Sequence, residues 1–198
     1  MLNKSIYFTY TILAALILVV LLTACDQNQP EKKVLSEKEM IERGKYLITA
    51  GGCHDCHSPK VFGPQGPKID ETKILSGHPA EMQLAEFDPA ILELGKYILF
   101  TQDVTAAIGP WGASFAANLT PDNETGIGTW QPDMFINALR TGKHLGAGRP
   151  ILPPMPWEMI GKLTDEDLQA MFAYLKSIPP IKNKVPDPKP LDQLLSSK

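Results

Sequence analysis

Cysteine is scarce in this 198-residue chain: three residues, at positions 25, 53 and 56, beside four histidines at 54, 57, 78 and 144. A structural zinc site takes four ligands, commonly from two Cys or Cys/His pairs set apart in sequence. Only one such pair exists here, and His78 and His144 lack the usual spacing to complete it. A large excess of positive or negative charge is also missing. Nineteen Lys and Arg against 22 Asp and Glu leave −3, with no basic patch to hold a nucleic-acid backbone. No internal repeat is visible, and the alternation that marks strands is weak. Proline, by contrast, is plentiful, 18 residues against an average of about 5%, which predicts extended loops between helices. Length and a 43% hydrophobic content suit one well-filled domain.

The one long apolar run is at the start, in MLNKSIYFTYTILAALILVVLLTACDQNQPEKK. No charge occurs from Ser5 to Ala24, and Ile6 to Leu22 is short for a bilayer span but suits the core of an export signal. The run ends in LLTAC. LTAC resembles the lipobox of bacterial lipoproteins, where the signal is cut before the cysteine and lipid is attached to its sulfur. That resemblance implies a signal peptide over 1–24, an acylated Cys25, and a polar tether over 25–35. An uncleaved anchor helix with an incidental cysteine is the alternative. Both place the domain outside the cytoplasm of a bacterium, held at a membrane of the cell envelope and facing the periplasm or the exterior. Cleavage would leave 18 basic against 22 acidic residues, a net −4.

Helix signals follow. In LSEKEMIERGKYLITAGG, Ser36 is an N-cap, Glu39 completes a capping box, and Leu35 can staple onto Met40. Met40, Ile41, Gly44, Leu47 and Ile48 share one stripe. Gly44 costs about 1 kcal/mol against alanine there, which makes sense if another helix crosses closely. KLTDEDLQAMFAYLKSIPP repeats the signature, with Thr164 as cap, Asp167 at the third position, a buried face of Leu168, Met171, Phe172 and Leu175, and Pro179 as the stop. TWQPDMFINALRTGK reads as a shorter helix with Met134, Phe135, Ala138 and Leu139 inward and Gly142 at its end. DPAILELGKYILF reads as a further helix, and residues 183–198 as a proline-rich mobile tail. The fold class expected is all-α.

GGCHDCHSPK, residues 51–60, sets two cysteines and two histidines within five positions. A thioredoxin-like dithiol would stand near a βαβ pattern. Here a helix and a Pro/Gly loop flank the pair, and His57 would have no part. Cys-x-x-Cys-His is instead the attachment signature of c-type haem. Thioethers from Cys53 and Cys56 would fix the two vinyl arms of one covalent haem, with His57 beneath the iron as proximal ligand. His54 and Asp55 bridge the cysteines, and His54 is held too close to the attachment point to reach the metal, so it is expected to be exposed. Export agrees, because this haem is attached outside the cytoplasm.

The sixth position decides carrier against catalyst. A thioether opposite His raises the reduction potential and fills the coordination sphere, whereas an open position would let a small molecule bind, as in a five-coordinate sensor or enzyme. Met40, Met134 and Met171 read as core filling. Met155, in RPILPPMPW, sits between prolines where little backbone freedom is left to lose. It is the favoured axial ligand; Met159, His78, His144 and an open site remain alternatives.

The order of helix, Cys-x-x-Cys-His, middle helix, methionine loop and last helix resembles class I c-type cytochromes. NLTPDNETGIGTW, ALRTGKH, PPMPW and LTDEDLQAMFAYLKSIPP make it most similar to haem modules in cytochrome subunits of periplasmic alcohol, aldehyde and sugar-acid dehydrogenases. The likeness covers roughly 37–57 and 118–182. It implies a cytochrome c domain over 36–182, supports Met155 as ligand, and puts Trp130 against the haem, hydrogen-bonded to a propionate or simply packed in the core. It also implies that the first and last helices cross near the haem edge, with Tyr174 and Leu175 facing Gly44. Two departures stand out. Those subunits usually carry several haem motifs and this chain has one, and residues 58–117 form an insertion that a minimal cytochrome lacks. The function implied is single-electron transfer between redox partners (a dehydrogenase, an oxidase or another cytochrome) without chemistry on a substrate, with a dedicated dehydrogenase subunit as the nearest alternative.

Overall fold

The computed structural model describes residues 8, 10–15, 35–92 and 96–196. The chain divides into two units, Met1–Val34 and Leu35–Lys198. In the first, residues 10–15 are helical and exposed. Cys25 and the proposed cleavage point lie outside the described residues. No helix among those described is long and apolar enough to cross a membrane.

The second unit begins with helix α1, Glu37–Ala50. Ser36 Oγ accepts the Glu39 N–H at 3.3 Å and Glu39 accepts the Ser36 N–H at 2.9 Å, closing the capping box. Its inward stripe ends in buried Gly44 and Ile48. A single turn, α2 (Cys53–His57), follows at once. Helix α3, Pro132–Thr141, starts on proline and stops at Gly142, whose φ of 65° suits a residue without Cβ. Phe135, Ile136, Ala138 and Leu139 are buried; Met134, expected inward, is 40% exposed, because the apolar arc runs through Ile136 instead. The short α4 (Trp157–Ile160) precedes α5, Asp165–Ser177, where Thr164 accepts the Asp167 N–H at 3.1 Å.

α1 and α5 cross at Gly44. A Cβ there would lie 1.9 Å from the Ala170 carbonyl oxygen and 2.8 Å from Tyr174 Cβ. Tyr174 is where the sequence put it, and Ala170 is the closer neighbour. Arg43 and Asp167 bridge the crossing at 2.9 Å. The core gathered around it includes Ile48, Leu75, Ile127, Phe135, Leu139, Leu168, Met171, Phe172 and Leu175. Leu75, with the partly buried Ile74 packed against the cluster, comes from the 58–117 segment.

That segment corrects the expected fold class, because the chain is not all-α. It carries two antiparallel sheets, a hairpin of β1 (Lys60–Gly63) and β2 (Gly66–Ile69), and a three-stranded sheet ordered β3 (Leu99–Phe100), β4 (Ala106–Gly109), β5 (Gly112–Phe115). The strands escaped notice because they are two to four residues long and the central pair, AAIG and GASF, is small-residue rich and without alternation. Gly109 pairs with Gly112 around a Pro110–Trp111 turn. DPAILELGKYILF is likewise not one helix: a 3-10 turn covers Pro89–Leu92 behind Asp88, and the chain is extended as β3 at Leu99–Phe100.

A second, smaller core forms on this sheet from Leu92, Ile108 and Ala113, with Phe115, Leu191 and Leu194 against it. The proline-rich end of the chain, read as mobile, runs beside β5: Ala113 and Lys189 exchange both backbone hydrogen bonds, at 2.8 and 3.0 Å, before the turn of helix α6 (Leu191–Ser196). Asn183 Nδ2 donates to the carbonyls of Ser76 and His78 at 2.7 and 2.9 Å.

Candidate metal centre

α1 stops because Gly51 bonds back to the Leu47 carbonyl at 2.8 Å and Gly52 turns left-handed at φ 66°. The chain re-enters a helix at Cys53. Within one helical turn, positions three and four apart are neighbours, so Cys56 and His57 both lie beside Cys53. Both thiols are free and half-buried. Burial pushes the Cys53 thiol up to about 11 and raises Cys56 as well, with Lys60 pulling the latter back. They are therefore neutral S–H groups at ordinary pH.

His57 is buried, and its Nδ1 lies 2.8 Å from the Ala117 carbonyl oxygen. A carbonyl can only accept, so Nδ1 carries the proton and Nε2 keeps its lone pair for a metal. Burial lowers the pKa of His57, against the raising effect of that hydrogen bond, and favours the neutral ring that ligates. The main chain is fixed as well, the His57 carbonyl accepting the Gly77 N–H at 2.8 Å. Lys60 Nζ donates to the carbonyls of Asp55 and Asp103 at 2.5 and 2.6 Å, tying the end of this turn to the sheet segment. His54, expected to be exposed, is half-buried with Nδ1 3.1 Å from Ser58 Oγ, and burial lowers its pKa.

Met155 is half-buried, and its side chain packs against the same core cluster as that of Cys53. Trp157, two residues on, donates its backbone N–H to the Met155 carbonyl at 2.9 Å and lies over Gly142, where a Cβ would meet the indole at 2.4 Å. Met159 is 72% exposed. His78 is fully buried with both ring nitrogens engaged, Nδ1 2.7 Å from Thr105 Oγ1 and Nε2 3.3 Å from the Met82 carbonyl, so neither is free for a metal. His144 stands edge-on to Trp130 at 5.1 Å, and Trp130 is half-buried against the core.

Three participants had no sequence signal. Ala117 acts through its carbonyl, sixty positions from His57. Thr105 links His78 to buried Asp103, whose carboxylate it meets at 2.9 Å. Ser114 donates its hydroxyl proton to the Pro153 carbonyl at 2.6 Å. Nothing local distinguishes a serine in GASF from any other; only the pairing of GPWG as a hairpin turn could have brought attention to it.

The residues present fit a haem. The cysteines are unpaired and on one helical turn with an imidazole whose Nε2 is left free. Leu47, Cys53, Ile74, Leu119, Trp130 and Met155 all pack on the same core cluster yet are only half covered, which leaves apolar surface for a flat apolar group. Among the described residues no three His, Cys, Asp or Glu side chains gather into a metal site, so the zinc alternative finds no ligand set there.

No protein-family profile matches the chain. Over 135 residues it is 30% identical to the gluconate 2-dehydrogenase cytochrome c subunit of Pantoea cypripedii, covering 68% of this chain and 22% of that protein. Over 118 residues it is 32% identical to the cytochrome c subunit of the quinone alcohol dehydrogenase of Gluconobacter oxydans (strain 621H), covering 50% and 24%. Over 155 residues it is 26% identical to the fructose dehydrogenase cytochrome subunit of Gluconobacter japonicus, covering 78% and 24%. The chain thus spans about a quarter of the length of these relatives.

Proposed function

We propose that this chain is a lipid-anchored, single-haem c-type cytochrome that relays electrons one at a time in a bacterial cell envelope. The observation that carries the reading is His57: a buried imidazole on the Cys-x-x-Cys turn, with Nδ1–H committed to the Ala117 carbonyl and Nε2 free. Similarity to cytochrome c subunits of dehydrogenases supports it.

Cys53 and Cys56 would hold the group by adding S–H across its two vinyl arms, a step that needs no oxidant and releases nothing. When bound, haem supplies a one-electron Fe(III)/Fe(II) couple. His57, through Nε2, and Met155, through its sulfur, would be the residues that hold the iron, and a thioether paired with an imidazole would raise the potential. The half-buried apolar side chains, Trp130 among them, would keep water from the group and so favour its less charged, reduced state. The chain itself makes and breaks no substrate bond. Its partner is a dehydrogenase, for which it acts as electron acceptor; the similarity to cytochrome subunits of three dehydrogenases supports that choice over an oxidase.

The test is the full chain produced in a host that matures c-type haem. Haem should stay with the polypeptide through acid acetone, should be lost from the double variant Cys53→Ala/Cys56→Ala, and the oxidised protein should show the weak red-edge sulfur–iron band, absent in Met155→Ala. A colourless wild-type protein would refute haem attachment. A wild-type spectrum without that band, with rapid carbon monoxide binding on reduction, would refute Met155 alone.

A further inference from the structure

We infer that strand β5 braces the methionine loop, and that Ser114 is the positioning residue that keeps the Met155 sulfur on the metal. This rests on the reading of Met155 as ligand given above.

The loop has an unusual shortage of donors. Pro153, Pro154 and Pro156 have no N–H, and the N–H groups of Met155 and Trp157 turn inward to Leu152 and Met155 carbonyls, at 3.4 and 2.9 Å. Ile151 N–H anchors the entry to the Gly142 carbonyl at 2.7 Å; nearer Met155, the tie to another element comes to a loop carbonyl. Ser114 makes that tie at 2.6 Å, two residues ahead of Met155. The proton count identifies the direction. Trp111 Nε1–H can only donate, and reaches Ser114 Oγ at 3.3 Å; the single hydroxyl proton is then directed at Pro153, since the Ala107 carbonyl is farther, at 3.4 Å. The result is an ordered relay, Trp111 to Ser114 to Pro153.

The donor is itself held rigidly. Ser114 is buried on β5, opposite Ala107 of β4, and its neighbour Ala113 is pinned from the other edge by Lys189. Gly112 packs so closely on that terminal segment that a Cβ would lie 2.1 Å from the Lys189 carbonyl. Three residues beyond Ser114, the same run of chain offers the Ala117 carbonyl to His57. Residues 114–117 therefore support the imidazole on one side and the thioether loop on the other. This gives the 58–117 segment a role: a scaffold that sets the spacing of two ligands nearly a hundred residues apart in sequence.

The experiment is a pH titration of the sulfur–iron band in oxidised holoprotein, for wild type, Ser114→Ala and Trp111→Phe, with carbon monoxide binding to the reduced forms as a second readout. Losing one net hydrogen bond should raise the ratio of sulfur-free to sulfur-bound iron about two- to tenfold in Ser114→Ala, shift its band loss to lower pH, and speed carbon monoxide binding. Trp111→Phe, which keeps the ring and removes the donor, should shift in the same direction by less. Global unfolding in denaturant, followed in parallel, separates loss of the ligand from loss of the fold. Should Ser114→Ala not fold, Trp111→Phe decides alone. A wild-type protein with the band, and variants that retain it to the same pH, would overturn the brace while leaving Met155 as ligand. A wild-type protein without the band would remove the ligand reading first, and the brace with it.

Discussion

Replacing Gly44 by alanine sets two effects of opposite sign against each other. In an isolated helix the change stabilises by about 1 kcal/mol, through the lost flexibility of glycine. At the α1–α5 crossing the new methyl carbon would lie 1.9 Å from the Ala170 carbonyl oxygen, 2.5 Å from its carbon and 2.8 Å from Tyr174 Cβ. Two of these three obstacles are backbone and the third is a Cβ, so no rotamer change relieves them; the helices must separate. Overpacking by one carbon typically costs about 1–3 kcal/mol, and a rigid obstacle belongs at the upper end. The difference leaves a net loss of about 2 kcal/mol, a fall in Tm of about 4–8 °C for a chain of this size. The control is Gly63→Ala on β1, where an added Cβ meets nothing within 4 Å, and where a change within about 0.5 kcal/mol is expected. Thermal and urea unfolding of the two holoproteins beside wild type measures both. A Gly44→Ala protein as stable as wild type, or more so, would refute the close crossing.

Two further outcomes follow from other parts of the molecule. Cys25→Ser should shift the protein from the membrane to the soluble fraction and remove acyl mass from the mature chain; a protein that stays in the membrane would favour an uncleaved anchor helix instead. Asp122 accepts from Thr125 Oγ1 at 2.6 Å, Thr125 N–H at 2.8 Å and Glu124 N–H at 3.2 Å, and these bonds, the Thr125 hydroxyl first, hold its carboxyl below the ordinary range. A carboxyl depressed in the folded state stabilises above its unfolded pKa, about 4, and loses that contribution as pH falls through the folded value. Asp122→Asn, which cannot titrate, should therefore show a flatter decline of the urea midpoint below about pH 4 than wild type; parallel declines would count against the assignment.

What could be seen in the sequence is what is written contiguously. Cys53, Cys56 and His57 stand on one turn because their spacing is the helical spacing, and Ser36 with Glu39 and Thr164 with Asp167 cap helices across three residues. Gly44 was legible for a different reason: a helix breaker in the middle of an apolar stripe needs a close neighbour to justify it. The sheets were not legible, since AAIG and GASF carry neither alternation nor β-branched residues beyond Ile108 and owe their strand geometry to the Gly-Pro-Trp-Gly turn and to pairing with Lys189. Met134 was misplaced because a short helix has several apolar residues and only one arc facing the core.

The bonds that fix the candidate ligands share a trait that explains their silence. Ala117 to His57, Ser114 to Pro153 and Asn183 to Ser76 and His78 each join a loop carbonyl to a group 39 to 107 positions away, or a ring to a distant carbonyl. A carbonyl is present at every residue, so the accepting side leaves no mark in the letters. The donating side is His57 itself, or a serine or asparagine, residue types that more often cap a helix or face water. Yet a weaker inference was available. A run as rich in proline as LPPMPW has few N–H groups with which to hold itself, and a methionine proposed as a metal ligand must not wander; together these call for a donor from another element. Physical chemistry fixed that such a partner exists, and the fold alone named Ser114.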